Sequence, residues 1–222
     1  MDEIIYKAAV WALPLIFAIT LHEAAHAYVA RFFGDPTAYL LGRVSLNPIR
    51  HIDLLGTIVI PAALFLLKSP FIFGYAKPVP VRFDNLRNPR PHSAMVALAG
   101  PAANLLMAVA WTLFNLVCLA AGLRNPLLIE MASGGVLINL ALFAFNLFPL
   151  PPLDGGRILL GLLPVKMALP FSRLERYGFF IVLALLYLNV LNYWMVPLVR
   201  AGAWFIRFVF YPVSLFIPFI RL

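Results

Sequence analysis

Residues 4–33 form an apolar run long enough to cross a bilayer, yet His22-Glu23-Ala24-Ala25-His26 lies inside it. Hydrocarbon offers the backbone no hydrogen-bond partners, so such a run must be helical. Ionisable side chains are costly there and are rarely placed without a role. On a helix, residues four apart share a face, so His22 and His26 can grip one metal ion. Glu23 stands beside them, where a carboxylate can take a proton from an attacking water.

The rest of the chain agrees with a membrane setting. Of 222 residues, 63% are hydrophobic and 12% charged, and the mean hydropathy is +0.93. A soluble domain is about half apolar and about a quarter charged. The expectation is an all-α, multi-pass integral membrane protein forming one domain over 1–222. Its core would cover about 4–160 and its C-terminal helices about 173–222. The formal charge of +8 comes from basic residues that mostly border apolar stretches. Topology and lipid headgroups account for that pattern, and no nucleic-acid partner is expected. Cys118 is the only cysteine, so no intrachain disulfide can form. Its apolar surroundings read as packing. The acidic start Met1-Asp2-Glu3 argues against a cleavable signal peptide.

Five to six transmembrane helices are expected. The first runs from about Ile4 to Phe33 and stops at Gly34-Asp35-Pro36. His26 is five residues from Arg31, or roughly 7 Å at a helical rise of about 1.5 Å per residue. The site should therefore lie just below one membrane surface. Residues 39–48 read as short strands or irregular chain. Leu54–Leu67 is apolar but short and contains Pro61, so a re-entrant or partly crossing segment is as plausible as a span; cytosolic ends on both sides of 34–92 favour the re-entrant form, since a single crossing would break the parity. Residues 73–90 are rich in Pro and basic groups and read as a surface loop or hairpin. Further spans are expected at about Ser93–Ala121, Leu127–Phe148 and Tyr177–Val199, with a polar, basic connection over 157–176. The tail from Ala201 either crosses or lies in the interface.

Lys and Arg counts orient the bundle. Seven such residues fall between Arg43 and Arg90, and Arg157, Lys166, Arg173 and Arg176 follow Asp154; the opposite side has Lys7, Arg124 and Arg200. The first helix should start outside and end in the cytosol, in a prokaryotic cell membrane. A catalytic zinc typically has three protein ligands and a water. Glu130 belongs to the outer end of its helix, whereas Asp154 is expected to end its helix on the cytosolic side, where the metal should be. Orientation thus selects Asp154 as third ligand. Gly155 and Gly156 would allow an abrupt turn there.

Asn146 precedes Asp154 by eight residues, and its amide could donate to an oxyanion. Asn104 could orient a ligand or pin helices together. His51 and His92 read as ordinary loop residues, and Asn115 and Asn139 as helix–helix contacts. A metal-binding transporter or sensor explains the ligands but not Glu23 and Asn146. An inactive scaffold explains neither.

Together, His22-Glu23-Ala24-Ala25-His26, Gly100-Pro101-Ala102-Ala103-Asn104 and Asn146-Leu147-Phe148-Pro149-Leu150-Pro151-Pro152-Leu153-Asp154-Gly155 resemble the site-2 protease family of intramembrane zinc metalloproteases. Asn47-Pro48 and residues 73–80 look like its smaller members. The resemblance implies one zinc ion held by His22, His26 and Asp154, with Glu23 as general base and Asn146 stabilising the tetrahedral intermediate. It implies cleavage of transmembrane segments of other proteins within a three-helix core. It also implies a small strand region, for which 40–50 and 70–82 are the candidates, able to receive an unwound substrate as an added strand. The chain is too short for the PDZ insertion or CBS pair of many relatives, and nothing in it names a substrate.

Overall fold

The computed structural model describes residues 2–67 and 77–216. Three long helices make the core: α1 (Asp2–Phe32), α4 (Pro89–Ala120) and α5 (Pro126–Asn146). Each pair of them is in contact. Short helices α2 (Thr37–Leu40) and α3 (Ile60–Leu66) lie between α1 and α4. After α5 come α6 (Asp154–Leu162), α7 (Val165–Ser172), α8 (Glu175–Tyr187) and α9 (Leu191–Phe216). Helix α6 packs on α4, and α9 packs on α5. Ala108, Leu116, Leu140, Ile206 and Phe210 form the buried cluster joining α4, α5 and α9. Large apolar side chains such as Leu106, Val117 and Leu137 stay exposed on the outer faces, as expected where the surrounding solvent is hydrocarbon.

Among the described residues, three helices are long and apolar enough to cross a membrane: Val10–Phe32 of α1, α4 and α5. The paired α8 and α9 would make a fourth span, but they meet at a bend of 82°. The anticipated straight span Tyr177–Val199 is therefore broken. Asn189 sits at φ 57°, and asparagine is one of the few residues that tolerates this left-handed conformation. The amide of Val190 then closes the end of α8 on the Leu185 carbonyl at 3.0 Å. Among the described residues there are three or four candidate spans, where the sequence suggests five or six for the chain. Residues 157–176, expected as a connection, are instead α6, α7 and the start of α8. Pro164 stands at the N-cap of α7, where its missing N–H removes no intrahelical hydrogen bond, so it separates two helices without interrupting either.

The 54–67 segment is a π-helical turn, Leu54–Val59, running into α3. Thirteen helical residues rise only about 20 Å, short of the roughly 30 Å a crossing needs. No strand occurs among the described residues. Residues 41–47 are turns and bends. Residues 77–82 carry no regular structure and pair with no strand, although Arg82 has an extended backbone; the remainder of the 70–82 strand candidate, of the 73–80 match and of the tail (217–222) lies outside the described residues.

Asp35 anchors this region. Its side chain is fully buried just past α1. It accepts from the Thr37 amide (3.1 Å), the Thr37 hydroxyl (2.5 Å), the Arg82 amide (2.7 Å) and the Asn85 side-chain amide (3.1 Å). Burial pushes its pKa up, but these donors outweigh that and hold it below its ordinary value of 3.8. A lowered folded-state pKa contributes stability that is complete above the unfolded value and fades as pH falls below it. Asp35→Ala is expected to destabilise the purified protein by on the order of 2 kcal/mol at pH 7, and by progressively less below pH ~4. Melting curves across that range check it; a pH-independent difference would exclude the carboxylate as the cause.

Candidate metal centre

The helical spacing of His22 and His26 brings their rings together edge to face, with centroids 4.6 Å apart. Both rings are held from behind. His22 Nδ1 lies 2.6 Å from Asn104 Oδ1, and His26 Nδ1 lies 2.7 Å from the Val96 carbonyl oxygen. Both partners are acceptors, so each Nδ1 carries the proton and each Nε2 presents a bare lone pair. The two Nε2 atoms face each other at 3.0 Å. Asp154 Oδ2 completes the triangle, 3.1 Å from His22 Nε2 and 3.4 Å from His26 Nε2.

Three acceptor atoms converge here with no donor between them. Asp154 Oδ2 is buried and has no hydrogen-bond partner. Such a cluster repels itself unless a cation neutralises it. Donors held about 2.0–2.1 Å from a tetrahedral zinc stand roughly 3.3 Å apart, and the observed separations fall around that value. This is the one three-residue group of metal-ligating type among the described residues, and a zinc ion fits it.

The sequence expectation places Asp154 at the end of the preceding helix. It instead opens α6, after a nonhelical turn at 147–153. The two glycines that follow it explain how. A Cβ on Gly155 would run into the Leu147 and Phe148 backbone, and one on Gly156 into Leu150 and Pro151. Main chain cannot yield as a side chain can, so only glycine lets α6 fold back against the turn and aim Asp154 at the histidines.

Gly100 is a further residue of the site, one that the helical pattern by itself assigns no role. A Cβ there would meet His26 Nε2 and would stand 2.6 Å from His22 Cε1 and Nε2. Val96, Gly100 and Asn104 are spaced four apart and share one face of α4. That spacing was available in the sequence; the close approach of α1 was not. Asn104, fully buried, both orients His22 and joins helices, since its Nδ2 donates to Ala18 of α1 and Asn139 of α5. Glu130 lies near the start of α5 and faces Tyr6 at the opposite end of α1, far from the histidines.

A cavity of about 160 Å³ adjoins the triad, and Glu23, Asn146, Val79, Phe83, Pro152 and Arg157 help to line it. Glu23 Oε2 accepts from the Val79 amide at 2.8 Å. Asn146 spends one amide hydrogen on the Leu142 carbonyl at 3.1 Å and has a second to offer. Pro78, Val79 and Val81 form one wall. Arg43 donates to the Lys77 carbonyl at 2.8 Å, and the Lys77 amide to the His51 carbonyl at 2.9 Å. Pro78 and Pro80 have no N–H, so an added strand would find only carbonyl acceptors at those positions. His51 is buried rather than a loose loop residue, with Nε2 on the Ser45 carbonyl. His92 stacks on Phe33. Among the other asparagines, Asn139 bonds between helices, whereas Asn115 Oδ1 is buried without a partner.

A family model described as peptidase family M50 matches residues 123–189, the stretch that supplies Asn146 and Asp154. YwhC of Bacillus subtilis is 39% identical over 197 residues, covering 86% of this chain and 85% of the relative. Rip2 of Mycolicibacterium smegmatis is 29% identical over 196 residues, covering 87% and 71%. MJ0611 of Methanocaldococcus jannaschii is 28% identical over 157 residues, covering 65% and 71%. Each is named "Putative zinc metalloprotease". No solved structure matches.

Proposed function

The chain belongs to peptidase family M50, and on that premise we propose that it is a zinc-dependent intramembrane endopeptidase. It cleaves peptide bonds within or near transmembrane segments of other membrane proteins. The reading rests above all on the convergence of His22 Nε2, His26 Nε2 and Asp154 Oδ2 beside Glu23, inside a bundle of apolar helices.

His22, His26 and Asp154 hold the ion. Zinc, when bound, supplies a Lewis acid that polarises the scissile carbonyl and makes water a stronger acid. The Val79 amide occupies one oxygen of Glu23, leaving the other to face the cavity. Glu23 takes the proton of the attacking water as the new C–O bond forms. It returns that proton to the departing amine as the C–N bond breaks. Asn146 offers its free amide hydrogen to the oxyanion.

Backbone chemistry constrains the substrate. In an intact helix the scissile carbonyl is already engaged in the i to i−4 ladder and wrapped by side chains, so the substrate unwinds locally before it is cut. Arg31, Arg90 and Arg157 stand at the same end of the bundle as the histidines, which supports a site toward the cytosolic face.

The test is cleavage of membrane-anchored peptides by the reconstituted chain. Chelation is expected to abolish cleavage, and one equivalent of zinc to restore it. Zinc flux through liposomes without cleavage would favour a transporter instead.

A further inference from the structure

We propose that Asn139 is a positioning residue for the metal centre, fixing the ring form and orientation of His22 through Asn104. The inference rests on the metal-site reading above.

The problem it solves is an ambiguity. A histidine ligates a metal through Nε2 only if its proton sits on Nδ1, and the partner of Nδ1 decides that. Here the partner is an asparagine amide, whose oxygen accepts and whose nitrogen donates. Turned the other way, Asn104 would donate to Nδ1 and move the ring proton to Nε2, where it would block the ligand position. Something must hold the amide oxygen toward His22.

The structure supplies that hold in two steps. Asn104 Nδ2 has two hydrogens and two acceptors: the Ala18 carbonyl at 3.2 Å and Asn139 Oδ1 at 3.0 Å. Asn139 is itself an amide that could turn. Its Nδ2, however, donates to the Gly135 carbonyl at 2.9 Å, and a main-chain carbonyl can only accept. The direction is therefore set at each outer end by main chain, by Gly135 in α5 and by Ala18 in α1. It passes from Asn139 to Asn104 to His22 Nδ1. Both asparagines are fully buried, so water cannot substitute for a misplaced group, and a turned amide would face like against like.

A residue that only joined α4 to α5 would affect stability and leave the metal untouched. Relay and brace therefore differ in metal affinity. Asn139→Leu keeps the branched shape, with somewhat more bulk, and removes both hydrogen bonds. Asn139→Ser is a second variant, with a hydroxyl too short to span to Asn104. Zinc affinity is measured by competition on the folded fraction, alongside the visible absorption of the cobalt(II)-loaded protein. Both variants are expected to bind zinc about tenfold more weakly, with an altered cobalt spectrum. In an Asn104→Ala background, the same changes are expected to have no further effect, because Asn139 acts through Asn104. Unchanged affinity and spectrum in both variants, or losses that add in full to that of Asn104→Ala, would overturn the relay. His26→Ala separates this from the parent reading. If His26→Ala loses zinc while the Asn139 variants do not, the relay alone is wrong. If His26→Ala binds zinc as tightly as the parent, the metal centre is wrong and the relay falls with it.

Discussion

Replacing Glu23 by glutamine is expected to lower peptide cleavage by roughly 10²–10⁴-fold, the usual contribution of a positioned acid–base group, while the protein still binds one zinc. The substitution is unusually clean here. The amide oxygen of glutamine can still accept from the Val79 amide, which Glu23 Oε2 meets at 2.8 Å, so the wall formed by residues 77–82 keeps its place. What the amide cannot do is accept a proton from water. Zinc content and cleavage rate, measured on the same preparation, separate the two roles. Cleavage at the parent rate would exclude Glu23 as the base.

Gly100→Ala sets two effects of opposite sign against each other. Within a helix, alanine is favoured over glycine by about 1 kcal/mol, so helix propensity alone predicts a sturdier α4. The added methyl would nonetheless stand 2.6 Å from His22 Cε1 and Nε2 and collide with His26 Nε2. Neither ring can step aside without leaving Asn104 or the Val96 carbonyl. Helix α4 cannot retreat either, since it packs on α1, α5 and α6. The expected outcome is a folded protein with weakened zinc binding and about 100-fold less activity, the cost of misplacing catalytic groups by about 1 Å. Full zinc occupancy with parental cleavage would show that the helices part more easily than their packing suggests.

Much of this site could be read before any coordinates. Four-residue spacing alone puts His22 and His26 on one face, and the cost of ionisable groups in hydrocarbon makes that pairing meaningful. Asp154 was selected by the end of the bundle to which it belongs, yet the reason it reaches the histidines was hidden. That reason is the backbone packing of Gly155 and Gly156 on the 147–151 turn. The C-terminal third was less legible. Lys166, Arg173, Arg176 and two prolines suggest a polar connection, although Lys166 and Arg176 lie exposed on short helices and Arg173 in the turn between them. The run from Tyr177 to Val199 looks continuous because hydropathy averages over side chains and does not register one residue at φ 57°.

Local patterns therefore determined the apolar helices, the histidine pair and the adjacent carboxylate, because each depends on neighbours within a turn or two of helix. Tertiary structure alone decided which groups lie behind those ligands: Gly100 against both rings, Val79 on Glu23, and the asparagine pair that joins three helices. Those contacts span 35 to 86 residues of chain. No periodicity of a single helix encodes the face that another helix will meet.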